Sequence, residues 1–573
     1  MVTIAKNIVD TLEANGVERV YGIPGDSLNG FTNALRTSGI RWMQVRHEEA
    51  AAFAAGAEAA TTGRIAVCAG SCGPGNTHLI NGLYDAHRSR VPVLAIAAHI
   101  PTSEIGTNYF QENHPTELFR ECSVFAENVS SASQMPRLLR IAMQTAIERQ
   151  GVAVLVIPGD VALTEATDET VTILRPAEPV VTPSPADLQR AADLLDRAGR
   201  VTILAGAGCA GAHDEVVALA DHLGAPVVHA MRGKEHLEYD NPFDVGMTGL
   251  LGFASGYRAI EACDALLMLG TDFPYPDFLP QEKTLIQIDI RGEQLGRRVP
   301  LDLGLVGNIR DTAPALRELL DHKDDRTHVD DSVAHYRKTR EKLDELAGPV
   351  KEGRDQHPQY VARAIDQIAN DDAVFVPDVG SPVMWAARYV RMNGRRRLIG
   401  SFSHDSMANA VSQAIGIQAS HPGRQVIAMA GDGGLTMMLG ELITLVQLNL
   451  PVKIVVFDNS SLNFVELEMK AAGFVNWGTS LQNPDLARVA EAIGLRALRV
   501  DRSLDLAPAL AEAFAHDGPA LVNVVTERQE VTIPPSVNAA QIKGFSLYAM
   551  RTVMSGRGDE IFDLARANLR QVF

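Results

Sequence analysis

The sequence predicts an α/β protein of three consecutive doubly wound parallel-sheet domains with a C-terminal amphipathic tail. Three observations carry this expectation. Short apolar runs alternate with helix-period segments along most of the chain, which is the pattern of parallel sheets wrapped by helices. Two breaks interrupt that alternation: prolines gather at Pro176, Pro179, Pro183 and Pro185, and a highly charged stretch covers 320–354. Finally, 573 residues exceed what one hydrophobic core holds, since a domain takes ~100–200 residues.

The first unit, 1–181, carries buried-strand candidates at 65–69, 91–97 and 152–157. The second, 186–340, carries them at 201–205, 265–269 and 285–290. The third, 345–530, carries them at 373–376, 425–430, 452–457 and 520–525. Three units of similar size suggest copies of one architecture. Pro534-Pro535 then breaks the chain, and a mixed tail occupies 531–573.

Composition narrows the function. With 46% apolar and 21% charged residues the chain falls among globular proteins and not among disordered ones. A net charge of −18 argues against nucleic acid as a partner, because a phosphate backbone needs clustered Lys and Arg. Cys68, Cys72, Cys122, Cys209 and Cys263 lack CxxC spacing, so neither disulfides nor zinc are expected and a reducing compartment fits. The first residues show no basic segment followed by an apolar one, and no apolar run approaches the ~18 residues that cross a bilayer.

The most specific signal is Gly431-Asp432-Gly433-Gly434 directly after the run 425–430, with Asn459 directly after the run 452–457. Two strand ends are thereby expected side by side. At the carboxyl ends of parallel strands glycines let backbone approach a diphosphate, and a helix start favours its charge. Asp and Asn oxygens there suit Mg2+. Arg46-His47-Glu48 follows 42–45, and Gly70-Ser71-Cys72-Gly73-Pro74-Gly75-Asn76 follows 65–69. Read alone, Glu48 is a helix-start carboxylate and the glycine run is a strand-to-helix turn. The middle unit holds Gly206-Ala207-Gly208-Cys209-Ala210-Gly211, formally GxGxxG, but Arg232 stands near the place where NAD recognition wants an acid.

These motifs together resemble the thiamine-diphosphate enzyme family. The resemblance implies that Asp432, Asn459 and the Ser461 backbone oxygen hold Mg2+, that Gly433, Gly434, Gly73 and Asn76 line thiamine diphosphate, and that Glu48 faces its pyrimidine ring. A carboxyl group there promotes the tautomer that deprotonates the thiazolium carbon. Asp405-Ser406-Met407 resembles the segment that props the cofactor into a bent shape, although Met407 also reads as a core methionine.

Within that family the chain resembles the bacterial quinone-linked pyruvate oxidases, in segments 46–58, 67–82, 91–100, 110–122, 239–249 and 544–548. This implies FAD on the middle unit, touched by Thr248, Gly249, Leu250, Leu251, Thr271, Asp272, Phe273, Pro274, Tyr275 and Asp289. It implies a reacting pocket of Phe110, Gln111, Phe464 and Glu468, pyruvate as substrate, a membrane quinone as acceptor, and a homotetramer. Asp405 and Asn463 depart from that group, which has glycine at both positions. Acetolactate-synthase-like transfer, and a phosphate-dependent oxidase using oxygen, are the rival activities.

In the tail, Ile561, Phe562, Ala565, Leu569, Val572 and Phe573 share one helical stripe. From Lys543 onward five basic residues (Lys543, Arg551, Arg557, Arg566, Arg570) face three acidic ones (Asp559, Glu560, Asp563), a local +2. Such a helix docks on its own protein, on a partner subunit, or on anionic phospholipid. The resemblance implies the last, hence a cytoplasmic protein peripheral on the inner face of the cell membrane.

Overall fold

The computed structural model describes residues 2–177, 179–351 and 353–530, together with 547–552, 554, 561, 564 and 568. The predicted tail stripe therefore lies largely outside the described residues.

The first sheet comprises β1 (Arg19–Gly22), β2 (Arg41–Gln44), β3 (Ala66–Gly70), β4 (Val93–His99), β5 (Phe125–Asn128) and β6 (Val152–Pro158). Its order is β2-β1-β3-β4-β6-β5, all parallel. The second comprises β7 (Val201–Ala205), β8 (Val227–His229), β9 (Asp244–Met247), β10 (Ala265–Leu269), β11 (Thr284–Asp289) and β12 (Leu303–Val306). The third comprises β13 (Val374–Pro377), β14 (Arg397–Leu398), β15 (Val426–Gly431), β16 (Lys453–Asp458), β17 (Arg496–Val500) and β18 (Ala520–Val525).

The third sheet runs β14-β13-β15-β16-β18-β17, repeating the order of the first. The second runs β12-β11-β10-β7-β8-β9, the 3-2-1-4-5-6 succession of dinucleotide-binding sheets. The outer two units thus share one strand order and the middle one differs, so the expectation of three like copies holds only for the outer pair. Every residue of β4, β6 and β16 is buried, which explains why their interiors read as apolar runs, although His99 ends β4 and Lys453 and Asp458 bound β16.

The Glu48–Thr62 helix joins the outer units. Its sequence is mostly alanine, and it is buried from Ala50 to Ala59 because neighbours cover it on all sides. The Pro74–Ser89 helix approaches at Gly82, where a Cβ would lie 2.6 Å from the Ala52 Cβ. The Asn409–Ser420 helix approaches at Gly416, where a Cβ would collide with the Ala54 carbonyl. Glu58 is, with Glu48, one of two buried carboxylates on this helix, and it is fully paired. It accepts two 3.0 Å bonds from Arg19 and a further one from the Tyr21 hydroxyl.

The charged stretch 320–354 is not bare linker. Most of it forms the Thr327–Leu346 helix, which packs beside the Ala254–Ala262 helix through Tyr336 edge-on to Phe253 at 5.9 Å. All five cysteines are free and buried. No helix among the described residues is long and apolar enough to cross a membrane.

Candidate active site

β15 and β16 are hydrogen-bonded neighbours, with Gly431 opposite Phe457, so Asp432 and Asn459 leave adjacent strand ends. Asp432 opens the Asp432–Met437 helix and is 2% exposed. Its Oδ1 accepts from Gly433 N at 2.9 Å, and its Oδ2 accepts from Asn483 Nδ2 at 2.7 Å. The same amide donates to Asp458 Oδ1 at 3.0 Å, tying two buried carboxylates together. Burial raises the Asp432 pKa, the Asn483 hydrogen bond opposes that shift, and the Asp458 charge adds to it. A divalent cation would relieve both effects.

Asn459 Oδ1 accepts from Ser461 N at 3.0 Å, and Ser461 Oγ donates to Glu466 Oε2 at 2.7 Å, fixing the turn. Among the described residues no group of three or more His, Cys, Asp or Glu side chains forms a metal centre. One carboxylate, one amide oxygen and one backbone carbonyl fit Mg2+, which leaves positions for phosphate oxygens and water.

Beside this corner, Gly433 packs under Met407: a Cβ there would lie 3.4 Å from the Met407 Cε and 2.7 Å from Leu462 Cδ2. Met407 therefore stands over the Asp432 corner. Gly434 is pressed against the Asp378 carboxylate, so no side chain fits there. Asp405 adopts φ +64°, the conformation that makes glycine the easier residue at this position. Ser406 Oγ accepts from Asn81 Nδ2 at 2.8 Å, linking this loop to the first domain.

Glu48 begins its helix, is 5% exposed, and lies 2.9 Å through Oε2 from His78 Nδ1. His78 stacks on His47 with ring centroids 4.3 Å apart. A Cβ on Gly75 would sit 3.1 Å from Glu48 Oε1, so the glycine loop closes directly over the carboxylate. Gly73 caps the next helix at φ +66°. Asn76 is fully buried, donates to the Ala98 carbonyl at 2.8 Å, and leaves Oδ1 without a hydrogen-bond partner.

Phe110 is 76% exposed, whereas Gln111 turns inward to Cys72. Phe464 and Glu468 are four residues apart on the Asn463–Ala471 helix and share a face. Phe464 is partly buried and packs against the hydrophobic core of the third domain. Asn463 Nδ2 donates to the Arg528 carbonyl at 2.5 Å.

On the middle domain, Thr248–Leu251 follow β9, Thr271–Tyr275 follow β10 and Asp289 ends β11, so all lie along one carboxyl edge. Thr248 is buried with its hydroxyl unpartnered, an opening for a ligand donor or acceptor. Gly249, at φ +91°, lies where a Cβ would touch Phe273 at 3.0 Å. Asp272 pairs with Arg298 at 3.7 Å, and Pro274 leads into Tyr275 at the rim. Asp289 Oδ1 accepts from Arg291 N at 2.9 Å, and burial raises its pKa. These features fit a dinucleotide. Gly206 and Gly208 serve a different end, since each is packed against the Gly270–Thr271 backbone.

The sequence did not single out Asn483, Asp458 or His78, and it offered Cys72 only as a member of the glycine run, with no role of its own. A helix-spaced Glu48 or an Asx turn at Asn459 leaves a local signature, but these four act through contacts between distant segments.

Tail residues within the described set touch the third domain. Tyr548 is buried under Lys470, 5.5 Å from its ammonium, and Arg551 donates to the Gly473 carbonyl at 2.6 Å.

A buried glutamate over a glycine loop, an acidic diphosphate corner and a dinucleotide-type sheet between them define a three-domain, cofactor-dependent α/β enzyme. Comparison with known proteins specifies the class. Residues 2–118 match the thiamine pyrophosphate enzyme N-terminal TPP binding domain, 188–316 the central domain and 378–524 the C-terminal TPP binding domain. A putative thiamine pyrophosphate-containing protein of Bacillus subtilis is 37% identical over all of this chain and 99% of its own. Pyruvate oxidase of Lactiplantibacillus plantarum is 31% identical over 90% of this chain and 87% of its own. The acetolactate synthase isozyme 2 large subunit of Escherichia coli is 29% identical over 94% and 98%. The chain belongs to the thiamine pyrophosphate enzyme family.

Proposed function

We propose that this enzyme oxidatively decarboxylates pyruvate to acetate and CO2 and delivers the electrons, through FAD, to a membrane quinone. The structural observation that supports the redox reading is the nearness of the proposed flavin segment to the thiamine half. Burial raises the Tyr275 phenol, and the Asp405 and Glu468 carboxylates raise it further, so a flavin-segment residue shares its field with two residues of the thiamine half. Glu468 is raised by burial and by Asp405 in turn. The full-length similarity to a pyruvate oxidase supports the same reading.

When bound, thiamine diphosphate supplies a nucleophilic carbon and an electron sink, and FAD takes up two electrons. The chain's part is to place and protonate. Asp432, Asn459 and the Ser461 carbonyl would hold Mg2+, which would supply positive charge for the diphosphate. Glu48 sets the protonation of the pyrimidine ring, with His78 orienting its carboxyl group. Gln111 and Phe110 border the substrate, and Phe464 and Glu468 approach from the Asn463–Ala471 helix. Tyr109 and Phe110 on the first domain, and Phe474 and Trp477 on the third, expose 46%, 76%, 59% and 85% of their surface. A homotetramer in which those surfaces meet would cover these aromatics. The basic tail would place the enzyme on anionic lipid, where a quinone is reached.

Acetolactate synthases resemble the chain nearly as well as pyruvate oxidase does, so the test must separate the two activities. Anaerobic protein loaded with thiamine diphosphate, Mg2+ and FAD should bleach on adding pyruvate and recover with a quinone analogue, faster with anionic vesicles. An unbleached flavin with acetolactate accumulating would replace oxidation by transfer. A strict phosphate requirement with oxygen consumption would install the acetyl-phosphate-forming alternative.

A further inference from the structure

Gln111 sits in a left-handed conformation, φ +64°, that a non-glycine residue adopts only when its surroundings hold it. Two neighbours do so. A Cβ on Gly73 would lie 2.8 Å from the Gln111 Cβ and 3.0 Å from its carbonyl oxygen, so only glycine admits this approach. Cys72 Sγ donates to Gln111 Oε1 at 3.3 Å. Cys72 is itself fixed, being 4% exposed with its N–H donating to Ser27 Oγ at 3.0 Å. The loop is tied off on its other side by Glu112, whose carboxylate accepts from Gly106 N at 2.5 Å and Tyr109 N at 3.1 Å.

A carboxamide turned by half a revolution exchanges one acceptor for two donors while keeping its shape. A thiol is a weak donor and a still poorer acceptor for N–H, so contact with Cys72 favours the amide oxygen on its side. The NH2 group then points the other way. A 2-oxo acid presents only acceptor oxygens, on its carboxylate and its carbonyl, and an amide offering NH2 binds them where an amide offering oxygen repels them.

We infer that Cys72 is a positioning residue: its thiol selects the Gln111 amide orientation that presents hydrogen-bond donors to a 2-oxo acid. This rests on the proposed placement of Gln111 beside the substrate. Cys72 touches no reacting atom and undergoes no covalent step.

The test uses the full-length enzyme loaded with its cofactors and assayed with pyruvate. Cys72→Ala should lower kcat/KM by about fivefold, as expected for one modest hydrogen bond. Cys72→Ser, whose hydroxyl both donates and accepts, should restore only part of the loss. Thiamine diphosphate affinity should stay unchanged in both. In a Gln111→Ala background the Cys72→Ala loss should vanish. If Cys72→Ala is unstable, Cys72→Val repeats the comparison at similar volume without a donor. A Cys72→Val variant as active as the parent enzyme, or losses that simply add in the double variant, would overturn the inference. Loss in Gln111→Ala with none in Cys72→Ala would overturn it while leaving the site reading intact. No loss in Gln111→Ala would overturn both.

Discussion

The Arg388 guanidinium, on the third domain's Ser381–Tyr389 helix, donates to the carbonyl oxygen of Leu251, on the second domain, at 3.2 Å. A second arm reaches the Gly252 carbonyl at 3.1 Å. Burial lowers the Arg388 pKa to about 10, so it stays charged at neutral pH. One side chain thus clamps the segment proposed to hold the flavin. Arg388→Ala strands two carbonyls at a cost of ~1–3 kcal/mol. We expect a lower Tm and flavin affinity reduced at least tenfold, with thiamine diphosphate binding little changed. Arg388→Lys should recover only part, since an ammonium lacks the fork. Flavin titration followed by fluorescence reads the outcome, and unaltered flavin affinity in Arg388→Ala would separate the clamp from the cofactor.

Glu48→Gln keeps the shape of the buried carboxyl group and removes its proton chemistry. Turnover should fall by ~10²-fold or more, the range of a lost acid or base. Thiamine diphosphate should still bind, as measured by calorimetry. Activity near that of the parent enzyme would remove Glu48 from the reaction.

Removal of metal provides a separate check on the Asp432 corner. With a chelator present, thiamine diphosphate affinity should collapse and return on adding Mg2+. In Asp432→Ala the same addition should restore little. FAD affinity should be unaffected by either treatment, because the middle domain's loops share no ligand with the metal corner.

A pH dependence of stability follows from Asp244, which burial and the Glu238 charge raise to about 8. Lys234 and Tyr336 oppose that rise, and His229 Nε2 lies 3.4 Å away. Burial pushes His229 down to about 4, so the two meet as neutral groups and not as an ion pair. An unfolded Asp releases its proton near pH 4. Between pH ~4 and ~8 the folded chain therefore holds a proton that the unfolded chain has lost, and this stabilisation fades as pH rises through 8. His229 works in the opposite direction, and only below pH ~6.5. Between pH 6.5 and 8.5 the Tm of the parent protein should fall more steeply than that of Asp244→Asn. Parallel Tm profiles would show that Asp244 is already ionised in the folded protein.

Local pattern made the central strands legible. β7, β10 and β18 fall where the sequence predicts strands, because a strand covered on both faces keeps few polar positions; Thr202 in β7 and Asn523 in β18 are the exceptions, both buried. Asp432 and Asn459 were legible for a related reason: each stands at the end of such a run, where a parallel sheet collects ligands. β8 and β14, with three and two residues, were not, since pieces that short carry no period.

The sequence by itself determined that three parallel α/β units exist and where their diphosphate motif lies, because burial on both faces and glycine-bearing turns are written into neighbouring residues. Only the tertiary structure decided that the outer sheets share one strand order and the middle sheet another. It alone joined Asn483 to Asp432 across 51 positions, and Gln111 to Cys72 across 39. Those contacts depend on how separate segments pack, and a periodicity measured along the chain contains no information about distance across it.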